Sequence, residues 1–189
     1  MANKVEFGIS NLHIGTYTAD DENNVTMGTP YHQKGAVNFA PEQDSEDNTF
    51  YADNIAYWSE YTEGPFSGDL EVALFDDAFK TQFLGYRMLA NGGLANVKNA
   101  TKPKVYVAFE IEGDAEKRRA IFYNCSLGVI SREYATIEEN KEPATETLNL
   151  TCVGDNATGV TKATFKPGDA GYATLFTAPE APAFPAESE

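Results

Sequence analysis

A mainly β fold, a β-sandwich or barrel packed by one flanking α-helix, is what this chain of 189 residues predicts. Three observations carry that expectation. Several short stretches alternate apolar and polar side chains, the period of a half-buried strand. Clusters of Gly, Pro, Asn and Asp separate them at intervals of 8–20 residues. A single stretch sets apolar residues at helical spacing: Phe75, Phe79, Phe83 and Tyr86. Many strands with one helix pack as layered β structure. The length suits one domain, read here as residues 1–177 followed by an extended tail, 178–189.

The elements follow in order. Val5, Phe7 and Ile9 alternate, then Leu12, Ile14 and Tyr17 continue after one break, so the chain opens with a strand. The run DDENN at 20–24 is a turn, because Asx side chains bond their own backbone. Gly28-Thr29-Pro30 is a second break, and GAVNF at 35–39 a short strand. Residues 41–65 read as a long connection with some strand near 51–61; connections of that length are uncommon in compact domains and usually functional. DLEVAL at 69–74 alternates as a strand. Asp76 and Asp77 then open the helix, about 75–86, where the helix dipole favours anions, and Asn91-Gly92-Gly93 ends the element. KVYVAFEI at 104–111 and RAIFYNCSL at 119–127 form a hairpin with a four- or five-residue connection. Residues 129–137, 146–153 and 171–176 are further strand candidates, with turns at 139–143, 154–159 and 166–168. The tail, APEAPAFPAESE, is too rich in proline and acid to bury much.

Composition excludes several classes of function. The 29 Asp and Glu against 14 Lys and Arg give a formal charge of −15, the wrong sign for gripping DNA phosphates. The longest apolar run, Val105 to Phe109, is far short of the ~20 residues a membrane span needs. The start MANKVEFGIS has no apolar core of a secretory signal, so the expected compartment is reducing. Cys125 and Cys152 are therefore expected as thiols, small apolar core residues, with a disulfide as the alternative. The sequons at Asn24, Asn99, Asn124, Asn149 and Asn156 carry no weight without export.

No catalytic motif emerges. The chain has no Gly-rich phosphate loop and no Gly-x-Ser-x-Gly elbow. His13 sits in a strand pattern and reads as a satisfied sheet residue, and His32 in a turn-rich region reads as exposed. Asp20–Asn24 and Asp44–Asn48 space oxygens as a calcium loop does, but Val25 and Thr49 stand where the essential glycine belongs. No enzyme activity, metal or cofactor is expected. Tyr57, Trp58 and Tyr61 suit core residues or interface anchors better than a sugar-stacking platform. Charge is uneven: between Glu42 and Asp77 lie eleven acids and no base, and from Lys80 to Arg119 eight bases and four acids. Complementary patches on one molecule favour head-to-tail contacts that close into rings or grow into filaments.

An ordered set of motifs resembles a known family. Lys4-Val5-Glu6-Phe7-Gly8-Ile9-Ser10-Asn11-Leu12-His13, Gly28-Thr29-Pro30 leading to Gly35-Ala36-Val37, and Phe50-Tyr51-Ala52-Asp53-Asn54 come first. Gly68-Asp69-Leu70-Glu71, Phe83-Leu84-Gly85, Phe109-Glu110-Ile111-Glu112-Gly113-Asp114 and Phe122-Tyr123-Asn124-Cys125 follow. Together the chain, up to about Phe176, resembles the phi13-type major tail proteins of long-tailed phages of Gram-positive bacteria. The resemblance implies a β-sandwich-like barrel, a flanking helix, extended loop and terminal arms, and stacked homo-hexameric rings forming a non-contractile tail tube. It implies as partners other copies of the chain, a tape-measure protein, tail terminator and distal tail proteins. Double-stranded DNA would pass without specific binding, and no membrane is involved. The protein would reside in the virion tail tube, and in the host cytoplasm during assembly. Contact candidates are Glu42, Asp44, Glu46, Asp47, Tyr51, Tyr57, Trp58 and Tyr61 of the acidic connection, with Lys98, Lys102, Lys104, Arg118 and Arg119 as acceptors. The alternative is a β-sandwich glycan-binding module using Tyr57, Trp58 and Tyr61. A hydrolase on a β-scaffold comes third, since it would need a histidine–carboxylate cluster that the sequence does not display.

Overall fold

Eleven strands and two short helices form in the computed structural model, which describes residues 8–134, 136 and 143–185. The strands are β1 (Gly8–Ala19), β2 (Val25–Met27), β3 (Tyr31–His32), β4 (Ala36–Ala52), β5 (Ile55–Val72), β6 (Arg87–Met88), β7 (Leu94–Ala95), β8 (Val105–Glu112), β9 (Arg119–Arg132), β10 (Glu146–Cys152) and β11 (Lys162–Phe165). The helices are α1 (Asp77–Leu84) and α2 (Ala170–Thr174). Nine strands make one antiparallel sheet in the order β2-β1-β8-β9-β10-β5-β4, with β3 on β1 and β11 on β9; β6 and β7 pair separately. The mainly β class is as the alternation indicates.

Period-two alternation explains how the sheet is buried on both faces. On β8, Val105 and Val107 enter one core cluster while Tyr106 and Ala108 enter the other. The larger cluster adds Leu12 and Ile14 of β1, Leu70 and Val72 of β5, Leu148 and Leu150 of β10, and Phe79 and Phe83 of α1. The smaller joins Tyr17, Ile121 and Tyr123 to Leu175, just beyond α2. Each fully buried side chain of this size contributes about 1.5–3 kcal/mol, so these two layers are what hold the sheet.

Helix α1 forms where the aromatic stripe lies. Asp76 caps it, its carboxylate accepting from the Phe79 N–H at 2.8 Å. Gly85 ends it in the left-handed region at φ 70°, with Ala100 packed so close that a Cβ there would lie 2.7 Å away. The stop is thus Gly85, not Asn91-Gly92-Gly93; the latter turn joins β6 to β7.

Several expectations are corrected. Residues 41–65 are not a loop: they belong to β4 and β5, joined by Asp53-Asn54 alone. Both turn residues have positive φ, 51° and 62°, the conformation of a two-residue hairpin turn. Residues 171–176 form α2 and its exit rather than a strand. The strand β11 had no counterpart in the sequence reading, and the β8–β9 connection is six residues, 113–118. Of the candidate strand 129–137, residues 129–132 are the end of β9, residues 133, 134 and 136 are not strand, and 135 and 137 lie outside the described residues. Cys125 and Cys152 are not thiols: the register sets them opposite each other on β9 and β10, Cα atoms 3.9 Å apart, and they form a disulfide. Val5, Phe7, the turn at 139–142 and the last four tail residues lie outside the described residues. Within the tail, Pro179 is buried and Phe184 exposed.

The sheet curls until its ends approach. Gly8 and Ile9 of β1 line the same cavity of about 260 Å³ as Asn38, Phe39 and Pro41 of β4. No ladder joins β1 to β4 among the described residues, so the barrel-like curl leaves a seam.

Candidate assembly interface

The β4–β5 pair is longer than the sheet that carries it. β5 pairs with β10 only from Phe66 to Val72, while β4 follows β5 out to Ala52 opposite Ile55. Beyond the Gln43–Phe66 pair the two strands leave the sheet as a ribbon. At the usual strand rise its eight residues from Ser45 to Ala52 reach about 25 Å. Before the ribbon departs, Gly68 lets β4 and β5 approach closely: a Cβ there would lie 2.3 Å from the Ala40 carbonyl oxygen on β4.

The ribbon is wet on both faces and still rich in large apolar side chains. Tyr57 is 74 % exposed, Tyr61 71 %, Tyr51 67 %, Ile55 62 % and Phe50 59 %. Trp58 is also exposed. A two-stranded hairpin is marginal in water by itself, and exposed apolar side chains gathered on one element mark an interaction site. Phe50 lies opposite Trp58, and Asp47 opposite Tyr61. Side chains alternate along a strand, so Trp58 and Tyr61 occupy opposite faces, and Tyr57 falls at a register shift. The three aromatics therefore do not share one flat platform.

The ladder also explains how the ribbon tolerates its acids. Glu42 faces Ser67, Glu46 faces Thr62, Glu60 faces Asn48 and Glu63 faces Ser45. Directly opposed like charges would be destabilising, and this register avoids them. Asp44 sits at a shift and accepts from Ser67 at 3.5 Å. No Lys or Arg occurs from residue 35 to residue 79, so any neutralising cation comes from elsewhere. β4 also ends the strand order, leaving its outer edge without a strand partner among the described residues. Such an edge can template a further strand.

The basic candidates are spread over the fold. Lys98 is exposed in the segment before β8. Lys102 reaches the carbonyls of Leu127 (3.4 Å) and Gly128, and burial pushes its pKa below the ordinary lysine value. The Lys104 ammonium bonds Ser126. Arg118 clasps Asp114, Nε to carboxylate 2.6 Å, and Arg119 lies 3.4 Å from Glu110. Lys104 and Arg119 stand at opposite ends of the β8–β9 ladder, so the fold does not gather these five into one patch. Among the described residues no three His, Cys, Asp or Glu side chains converge as metal ligands. The sequence contained one usable sign of the ribbon, its β-branched and aromatic residues on either side of Asp53-Asn54.

No protein-family model matches the chain, and no curated protein matches it. Among solved structures it is similar to the tube-terminating cap of the anti-feeding prophage: TM-score 0.50, 8 % identity, 87 % of this chain and 95 % of that one covered. A chain of the sheath–tube complex of the PVC extracellular contractile injection system, in its extended state, matches at TM-score 0.44 and 8 % identity, covering 86 % and 94 %. At this identity likeness speaks to the fold alone, and the second score is too low to argue from. The chain shares its fold with a protein that caps the tube of the anti-feeding prophage.

Proposed function

We propose that this protein is a structural subunit of a phage tail tube, without catalytic activity, that polymerises through its β4–β5 ribbon and the open edge of β4. The reading adds a phi13-type, non-contractile tail with stacked hexameric rings, built on a tape-measure protein and closed by terminator and distal tail proteins. The fold likeness to a tube cap supports it. The observation that carries it is the ribbon: five large apolar side chains at least 59 % exposed, beside carboxylates with no base of their own. Buried against a neighbouring copy, those side chains would gain the stabilisation they forgo in the lone chain. The net charge of −15 suits a conduit that repels DNA phosphates and lets the duplex slide.

The test removes the ribbon and spares the sheet. Gln43 and Phe66 are ladder partners, so residues 44–65 can be replaced by Asn-Gly, a turn that fits a two-residue hairpin. The shortened chain is expected to keep its urea midpoint while failing to form the rings expected of the full chain in electron micrographs. Rings from the shortened chain would refute a role for the ribbon. The glycan-binding alternative instead requires array binding that Trp58→Ala abolishes.

A further inference from the structure

A stack of rings fastens the C-terminal segment to the sheet. Phe176, two residues past α2, stacks on His13 of β1 with centroids 4.6 Å apart and planes 17° from parallel. His13 stacks in turn on His32 of β3, its ladder partner, at 4.7 Å and 13°. The Arg119 guanidinium lies 4.4 Å from the Phe176 ring centre and 4.0 Å from that of Tyr172, and donates to the Tyr172 carbonyl at 2.6 Å. Beyond the stack, Leu175 and Pro179 are buried. The segment thus closes over the smaller core cluster, and a buried ring able to take up a proton sits within its fastening.

We propose that His13 is the catch of a pH-sensitive latch: neutral, it holds Phe176 and the segment from Leu175 to Pro179 against the sheet; protonated, it loosens them. A charge on this buried ring would be largely dehydrated and would lie beside the Arg119 guanidinium of β9 and the His32 ring of β3. The carboxylate across from Arg119, Glu110 of β8, is engaged with that arginine at 3.4 Å. The segment itself carries one acid up to residue 185, Glu180, which is exposed. On β1 the Asn11 carbonyl bonds the His13 Nδ1 at 2.8 Å, an acceptor that steadies the charged ring in part. Attraction of an imidazolium for the Phe176 face works in the same direction. Burial is the largest influence and exceeds that of the Asn11 carbonyl; together with His32 and Arg119 it holds His13 below its ordinary pKa of 6.5.

The sign follows. An undocked segment leaves His13 nearer its ordinary pKa, so the undocked state binds the proton better. Docking is complete above pH 6.5 and weakens as pH falls from there toward the lowered value, then levels off. One proton is taken up, so the docking constant falls at most about tenfold per pH unit. Such a latch would operate in a lone subunit as well as in a tube, so ring assembly and latch release fail or succeed separately.

Amide hydrogen exchange of the full chain at about pH 7.5 and pH 5, corrected for intrinsic rates, measures it. Protection at 175–178 is expected to fall at the lower pH while 105–108 and 120–123 stay protected. His13→Phe keeps a stacked ring but no titrating group, and is expected to abolish the response. Equal protection at both pH values in the wild type overturns the proposal, as does a His13→Phe chain that responds like it. Should that variant not fold, the wild type still decides by nuclear magnetic resonance. The His13 and Phe176 ring protons must shift together with one midpoint below 6.5, and separate midpoints overturn the latch.

Discussion

Reduction of the Cys125–Cys152 bond is expected to cost about 3.5 kcal/mol of stability. The bridged residues are 27 apart. The chain-entropy relation for a loop of that size gives about 12 cal/mol/K lost from the unfolded ensemble, or ~3.5 kcal/mol near 298 K. For a chain of this length each kcal/mol moves the melting midpoint by about 2–4 °C, so the shift should be roughly 7–14 °C. Both cysteines are fully buried between β9 and β10, so a reductant added to the folded protein should act only through unfolding. The assay therefore reduces the chain in denaturant, refolds it with reductant present, and compares urea curves of oxidised and reduced protein of identical sequence. That design leaves no cavity to confound the difference. The reduced chain should also show a slightly larger denaturant slope, because its unfolded state is freer to expand. Coincident midpoints would refute the entropic reasoning. Two alkylatable thiols in protein that never met a reductant would refute the bond itself.

Other outcomes are equally open to measurement. Phe83→Ala removes a fully buried ring that packs on Phe79 at 5.0 Å, and should cost about 3–5 kcal/mol in a urea titration. A loss under about 1 kcal/mol would mean that α1 does not anchor the core. The Arg118 side chain holds the Asp114 carboxyl down to about 2, from an ordinary 3.8. That contribution is complete above pH 3.8 and is lost as pH falls toward about 2, so Asp114→Asn should flatten this part of the acid limb of stability. An unchanged acid limb would show that the pair contributes nothing. Excision of residues 44–65 and the His13→Phe exchange experiment, described above, test assembly and the latch.

How far the sequence could be read depended on which faces each segment buries. β8, β9 and β10 have apolar positions that face a core; β10 shows them as alternation, and β9, buried on both faces, as a continuous apolar run from Ala120 to Tyr123. α1 has one buried stripe, and Phe79 and Phe83 disclose it at a spacing of four. The ribbon has no buried face, so its residues follow no apolar period and it reads as a loop. Its turn is made by Asp53-Asn54, residues that tolerate positive φ less conspicuously than glycine. Residues 171–176 mislead in the opposite way. Tyr172, Thr174 and Phe176 alternate like a strand, yet the chain is helical there, with Leu175 set into the smaller core cluster. The site was legible as a composition, acids and aromatics without bases, but not as a shape.

The amino-acid order alone settled the β class, the helix face, the acid balance and the hairpin of β8 with β9. These follow from interactions between near neighbours and from burial of one side of a segment. The meeting of Cys125 with Cys152, of His13 with His32 and Phe176, and the projection of the ribbon beyond β10 came only with the tertiary structure. Those contacts depend on strand register. Register is set by the packing of the whole sheet at once, because a slip of one residue turns every side chain of a strand to the other face.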